Sequence, residues 1–314
     1  MASELYEAQV RLLLRVLAEL GDQDRLALKG GTAINLFVQD LPRLSVDIDL
    51  TYTGTEERET ALTSIHEALS VLKTRLEARG LRVTPTLLPQ TTAWVKLTVG
   101  DGRVQVKVEV APVLRGTVHP PARRRTRPSV EARFGYAEVP VLALPDLYAG
   151  KLVAALDRQH PRDLYDVHLF LEQSLLDAAT VQAFLVYLIS HNRPLHEVLR
   201  PRLKDVGQDY DRAFVGMTVE PVLLTALEAA RSRLIAELHA ALTENDREFL
   251  MSVAAGQPDW ARFSFPDVAG LPAVRWKLHN VARMTAVKRR AAVEDLRRAL
   301  WPEGGAPEYT AVDL

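Results

Sequence analysis

Asp47-Ile48-Asp49 sets two carboxylates one residue apart. In an extended chain successive side chains leave opposite faces, so both acids would share one face, roughly 7 Å apart at ~3.4 Å per residue. Carboxylates so placed repel each other unless a cation lies between them. Magnesium is the natural occupant, because it takes hard oxygen ligands and keeps positions free for phosphate oxygens. The plainer alternative is two surface acids on an exposed strand. Glu109 belongs with the first reading. It lies on the polar side of a second alternating run, Val104-Gln105-Val106-Lys107-Val108-Glu109-Val110. Three carboxylates from two neighbouring strands would hold two metal ions, one activating a hydroxyl and one steadying a triphosphate. Otherwise Glu109 pairs with Lys107 or Lys96 on a solvated sheet face.

Two further clusters carry chemistry. Lys29-Gly30-Gly31-Thr32 sits ahead of the acidic strand, between a short apolar run and a short helical pattern. Glycines there let the backbone approach phosphate oxygens, and a following helix start favours negative charge. Such a turn is also often only a turn. The other cluster runs from Lys151 through Arg158 to Pro161-Arg162-Asp163-Leu164-Tyr165-Asp166. Lys151 and Arg158 are seven apart and share a helix face. Pro161 suits the first turn of a new helix and puts Asp163 near its N-terminus. One reading makes Lys151 a phosphate or base contact, with Asp166 as its orienting partner or a proton acceptor. The other makes Asp163 a first-turn acid and joins Arg162 to Asp166 as an i,i+4 ion pair.

The elements that must position these residues follow from periodicity. Leu5, Leu12, Leu13, Val16, Leu17 and Leu20 recur at helical spacing, and Gly21-Asp22 ends that helix. Ser45 to Tyr52 alternates as a half-buried strand. Leu62, Ile65, Leu69, Leu72 and Leu76 mark a second helix that closes at Gly80. Strands are expected around Leu81–Leu88 and Ala93–Val99, and Asp101-Gly102 is a hairpin signal leading into the valine-rich run. Beyond Pro145 the pattern turns helical, over Asp146–Arg158, Leu175–Ser190, Val222–Leu242 and roughly Ala273–Leu300. The expectation is an α+β chain, with an α/β domain over 1–144 and a mostly helical domain over 145–314 that contributes Lys151 and Asp166 to the site.

Composition limits the function. The 314 residues are 47% hydrophobic and 25% charged, ample for two cores and against wholesale disorder. A net charge of −1 excludes a globally basic nucleic-acid binder. There is no cysteine, so thiolate and disulfide chemistry are absent. No run reaches the ~18–20 apolar residues of a membrane span, and the N-terminus lacks a signal-peptide core, so the expected location is the cytoplasm, away from membranes.

Lys29-Gly-Gly-Thr-Ala-Ile-Asn-Leu-Phe, Pro42-Arg43-Leu44-Ser45-Val-Asp47-Ile-Asp49-Leu and Lys151…Arg158…Arg162-Asp163-Leu-Tyr165-Asp166 together resemble the AbiEii/AbiGii family. These are nucleotidyltransferase-like toxins of abortive-infection (type IV) toxin–antitoxin systems, with a likeness to the mycobacterial MenT toxins. Softer echoes continue through Arg193-Pro-Leu-His196, Gln257-Pro-Asp-Trp260 and Leu271-Pro-Ala-Val-Arg-Trp276, so the resemblance spans nearly the whole chain. It implies a polymerase-β-like core with a mixed sheet, followed by a helical C-terminal domain. The activity it implies is transfer of nucleotides from an NTP to the 3′ end of tRNA, which would block aminoacylation and translation. Its implied requirements are Mg²⁺ or Mn²⁺ and an antitoxin encoded nearby. The implied roles are metal binding and catalysis for Asp47 and Asp49, and catalysis for Lys151 and Asp166. Nucleotide binding falls to Lys29, Gly30, Gly31, Thr32, Ser45 and Arg158; Glu109, whose segment is not a fixed signature of the family, is the candidate third metal ligand on its strand position alone.

An RNA acceptor needs local positive charge. Arg123-Arg124-Arg125-Thr126-Arg127 lies between prolines and reads as a charge-dense loop, either solvated surface or a grip on backbone phosphates. Arg200-Pro-Arg202-Leu-Lys204 and Lys288-Arg289-Arg290 add to it. Aromatic residues are only 6%, which favours recognition of RNA shape and phosphates over stacking on an open platform. Two alternatives stand beside the RNA transferase: nucleotide transfer to a protein hydroxyl, and a catalytically inactive partner-binding protein. The intact Asp47/Asp49 pair opposes the second.

Overall fold

Alternation and helical periodicity build most of the expected elements in the computed structural model, which describes residues 2–21 and 23–302. Asp22 and the last residues of the expected helical domain, 303–314, lie outside the described residues. The chain divides into two compact units, Met1–Leu147 with Phe214–Val222, and Tyr148–Ala213 with Leu223–Leu314.

The first unit begins with α1 (Ala2–Leu20), β1 (Leu26–Lys29) and the single turn α2 (Gly30–Ala33), which continues as a π-helical turn over Ile34–Val38. Then come β2 (Asp47–Tyr52), α3 (Arg58–Ala78), β3 (Arg82–Leu87), β4 (Trp94–Gly100) and β5 (Gln105–Ala111). The unit continues with β6 (Ala122–Arg125), α4 (Pro128–Phe134), β7 (Glu138–Val141) and the start of α5 (Leu144–Arg158). Seven strands form one mixed sheet in the order β3-β4-β5-β2-β1-β7-β6. β2 pairs parallel with β5 and antiparallel with β1, which pairs parallel with β7. The acidic strand is therefore the central one. One sheet face is covered by α1 and α3, whose apolar stripes, among them Leu13, Leu17, Ile65, Leu69 and Leu72, meet Leu97, Val99, Val106 and Val108. Along β5 the valines are buried and Gln105, Lys107 and Glu109 exposed. The outer strands are short or interrupted. β6 has four residues, and β3 carries Pro85 and a register shift between Thr86 and Leu87.

Helices dominate the second unit: the rest of α5, α6 (Pro161–Glu172), α7 (Ala178–Ile189), α8 (Leu195–Leu199), α9 (Gly207–Ala213) and α10 (Leu224–Ala241). α11 (Glu244–Ala255), α12 (Pro272–Ala282) and α13 (Ala286–Leu300) complete it. Its core gathers Phe170, Phe184, Leu188, Leu234, Phe249 and Leu250, all buried, and the Phe249 and Phe263 rings stack at 4.6 Å. Starts are set by side-chain caps: Asp177 accepts from the Thr180 amide, and Thr243 with Asp246 forms a capping box. The helix expected over Ala273–Leu300 is two. It breaks at Arg283-Met284-Thr285, where the Thr285 hydroxyl accepts from the Lys288 amide and starts α13 afresh. A capping threonine inside an otherwise unbroken pattern is what periodicity alone overlooked. No described helix is long and apolar enough to cross a membrane.

Candidate active site

The register of the sheet sets the acidic residues in rows. Asp49 faces Lys29 across the β1–β2 pair and Glu109 across the β2–β5 pair, and Glu109 in turn faces Lys96. Asp47 faces Lys107, which faces Thr98. Residues in register point the same way, so Lys29, Asp49, Glu109 and Lys96 share one sheet face with Asp47 and Lys107. Asp47 is exposed and Asp49 half-exposed, whereas Ile48 and Leu50 are buried. Ser45 lies just before the strand, which starts at Asp47.

Glu109 makes the ion pair that its alternative reading named. Its Oε2 is 3.3 Å from Lys96 Nζ, and 57% of its side chain is exposed. Among the described residues no group of three or more His, Cys, Asp or Glu is arranged to hold a metal ion. Two carboxylates on an accessible face nevertheless suit a divalent cation that draws its remaining ligands from phosphate and water. Glu109 would join them only by leaving Lys96.

Gly30 and Gly31 are required by close packing. Gly30 has φ +74°, a left-handed conformation that disfavours a side chain, and a Cβ there would stand 2.9 Å from Asp49 Oδ2. At Gly31 a Cβ would stand 2.6 Å from Arg43 Nη2 and 3.0 Å from Ser45 Oγ. Thr32 is buried. Its hydroxyl donates to the Asp47 carbonyl at 2.5 Å and lies 3.0 Å from the Ser45 hydroxyl, tying the glycine turn to the start of the acidic strand. Asn35 reaches back to the Gly31 carbonyl at 2.8 Å.

Arg43 is a member of this site that motif reading did not single out. It is only 3% exposed, its guanidinium lies against Gly31, and its Nη1 donates to the Leu44 carbonyl at 2.9 Å. Its backbone is fixed by a bridge to Thr218, with the Leu44 amide donating to the Met217 carbonyl and the Val219 amide to the Pro42 carbonyl. The available signal was a lone cation in Pro42-Arg43-Leu44-Ser45, just ahead of the acidic strand.

The lysine cluster lies wholly in the second unit. Lys151 Nζ is 2.8 Å from Asp163 Oδ1 and 2.9 Å from Asp166 Oδ2, and all three side chains are buried. Arg158 Nη2 holds the other Asp163 oxygen at 2.9 Å, with 62% of its own side chain exposed. Burial pushes the Asp163 carboxyl up, but Lys151 and then Arg158 outweigh it and hold it below its usual range. α6 opens on His160, whose Nδ1 accepts from the Arg162 amide, and on Pro161, so Asp163 stands in the first turn as expected. The Arg162–Asp166 pair of the alternative reading does not form, because Asp166 turns inward to Lys151, a buried partner from the facing helix.

The arginine run is not a loop. Arg123, Arg124 and Arg125 form the edge strand β6, paired with β7. Alternation therefore splits the cluster, with Arg123 and Arg125 on one face and Arg124 on the other. Arg123 Nε lies 3.2 Å from Glu138 Oε1, while Arg125 and Arg127 are exposed. Charged edge strands resist pairing with other chains, and that explains a strand built from residues that read as loop.

The family model described as "Nucleotidyl transferase AbiEii toxin, Type IV TA system" matches residues 11–280. The chain belongs to the AbiEii nucleotidyltransferase toxin family of type IV toxin–antitoxin systems. Among solved structures it is similar to MenT4, a nucleotidyltransferase toxin from Mycobacterium tuberculosis H37Rv, with a TM-score of 0.56 and 22% identity over 89% of this chain and 93% of that one. At that identity the likeness is one of fold. No curated protein sequence matches. Membership makes the chain a transferase toxin with an NTP substrate and an antitoxin partner.

Proposed function

We propose that this toxin transfers nucleotides from an NTP to the 3′ end of tRNA in the cytoplasm, with Mg²⁺ or Mn²⁺, and so blocks aminoacylation and translation. The observation that carries the reading is the shared sheet face on which Asp47 and Asp49 stand directly beside the Gly30-Gly31 turn. Asp47 and Asp49 would hold the divalent ion, which when bound lowers the pKa of the attacking hydroxyl and offsets charge on the triphosphate. Gly30 and Gly31 let the backbone approach phosphate oxygens, and Thr32 with Ser45 holds that turn against the acidic strand. Lys29, next to Asp49 in register, supplies positive charge there. Glu109 serves as a third ligand on exchanging Lys96 for the ion. In the second unit Arg158 is the exposed cation for a phosphate. The buried Lys151–Asp166 pair, catalytic by family resemblance, keeps that cluster charge-balanced.

The tRNA tip suits such a site because it offers a free hydroxyl on a short single strand above a rigid A-form stem, whose phosphates arginines such as Arg125 and Arg127 can grip without reading sequence. Expression of the wild-type chain is expected to arrest bacterial growth, and Asp49→Ala is not. Sequencing of tRNA 3′ ends from arrested cells is expected to show added nucleotides. Labelled NTP appearing in protease-sensitive material instead would transfer the reading to a protein hydroxyl, and harmless expression without antitoxin would end it.

A further inference from the structure

Between Asp267 and Glu294 the chain has no acidic residue, yet it carries Arg275, Lys277, Arg283, Lys288, Arg289 and Arg290. In a protein of net charge −1 this is a concentrated electropositive segment, and it folds into α12, the short link and the first turns of α13. At 100° per residue, Arg275, Trp276, His279 and Arg283 fall within an arc of about 100° on α12. All four are exposed. Trp276 is 57% exposed, and its ring stacks on His279 at 5.8 Å and 19°. Lys277, the next residue, turns inward and donates to the carbonyls of His191 and Arg193 at 2.9 and 2.6 Å, which pins the helix in place. Arg283, Lys288 and Arg290 make no ion pair among the described residues.

An exposed indole serves either a protein partner or a base. Protein hot spots set their aromatic anchors among neutral contacts that exclude water. Here the surroundings are cationic, and acids are missing for 26 residues in a row, the arrangement that suits a polyanion with π-faces. We infer that this face of α12 binds unpaired nucleotides of RNA, with a base stacked on Trp276 and backbone phosphates held by Arg283 and by the cations that follow at the start of α13. The chain's low aromatic content weighs against an extended stacking platform, but a single base needs only one ring. The inference rests on RNA being the acceptor, and its measurement is binding, which does not depend on transfer.

The test uses the full chain with three probes: an unstructured oligo-A RNA, a blunt RNA duplex and heparin, a polyanion without bases. Oligo-A is expected to quench tryptophan fluorescence, with the quench lost in Trp276→Phe if that ring is its source, whereas heparin binds without quenching. Trp276→Ala is expected to weaken oligo-A binding roughly 5- to 150-fold, the range for loss of one stacked base, and to leave heparin binding unchanged. Substituting Arg283, Lys288 and Arg290 together by Glu should weaken both ligands and reduce the salt slope for oligo-A by about one to two units. Equal quenching by heparin, unchanged oligo-A affinity in Trp276→Ala, or preference for the duplex would overturn the inference. So would protection of Trp276 by a protein partner with no response to RNA. Label transfer to protein alongside an intact oligo-A quench would instead fail the acceptor reading and leave the binding face standing.

Discussion

Lys151 and Asp166 sit 2.9 Å apart with both side chains shut off from water, and Asp163 completes the cluster from the first turn of α6. Removing the lysine would leave two buried carboxylates without the ammonium between them, Asp163 keeping its pair with Arg158. Lys151→Met is therefore expected to lower stability by about 3–5 kcal/mol, read as a drop in melting temperature. If nucleotide transfer falls while the melting temperature holds, Lys151 acts on substrate and its structural weight is small. A large thermal loss with transfer intact at permissive temperature would make it structural only.

Acid should unfold the second unit through the same cluster. The Asp163 carboxyl is held below its ordinary value in the folded chain, so its contribution is complete above the unfolded value near ~3.9 and is lost as pH falls through the lower folded value. Asp163→Asn is expected to destabilise at neutral pH and to flatten that acid limb. An unaltered dependence of stability on pH below ~4 in the variant would contradict it.

Lys277 gives a slope of opposite origin. Burial pulls its ammonium from the ordinary 10.5 down to about 8. The unfolded chain then holds more protons than the folded one between these values, so stability should rise with pH across that window by about 3 kcal/mol. Comparing Lys277→Met with wild type by urea unfolding at pH 7.5 and 10 isolates this part. Equal slopes in both proteins would assign no share to Lys277.

Gly31→Ala should displace the Arg43 guanidinium, since the new methyl would stand 2.6 Å from Nη2 in a site where Arg43 is only 3% exposed. The expected cost is about 1–3 kcal/mol, together with weaker NTP binding. Arg43→Ala in the same chain should recover part of the stability. No recovery would mean that the strain is taken up elsewhere.

The two readings of Glu109 separate in one variant. Glu109→Gln breaks a half-exposed pair worth at most about 1 kcal/mol, so stability should hardly move. If Glu109 joins the metal site, transfer falls and more Mg²⁺ is needed to restore it. Transfer with ordinary Mg²⁺ dependence would leave Glu109 as Lys96's partner. Asp49→Asn, by contrast, is expected to abolish transfer while relieving repulsion from Asp47.

Period-two alternation located the acidic strand and the valine strand because each buries one face against helices, a constraint that local sequence expresses directly. What stayed illegible depends on partners distant in sequence. β6 exists because β7 offers it a ladder, and nothing in Arg123-Arg124-Arg125 announces that partner. Asp166 chose Lys151 over Arg162 because a buried partner from the facing helix outcompetes a partly exposed neighbour. Arg43 acquired its place through Met217–Val219, a segment more than 170 residues away that the first unit draws back into its own fold.

The interrupted borders of the sheet constrain how this toxin can be silenced. Along one border Pro85 withholds an amide and the Thr86/Leu87 shift breaks the repeat; along the other, four residues bearing three arginines end the ladder. A neutralising protein gains little by β-augmentation at either border, where main-chain pairing would be short and partly unanswered. An antitoxin that binds this chain directly must recognise side-chain surfaces, and one that does not touch it must act on the nucleotide or on the acceptor.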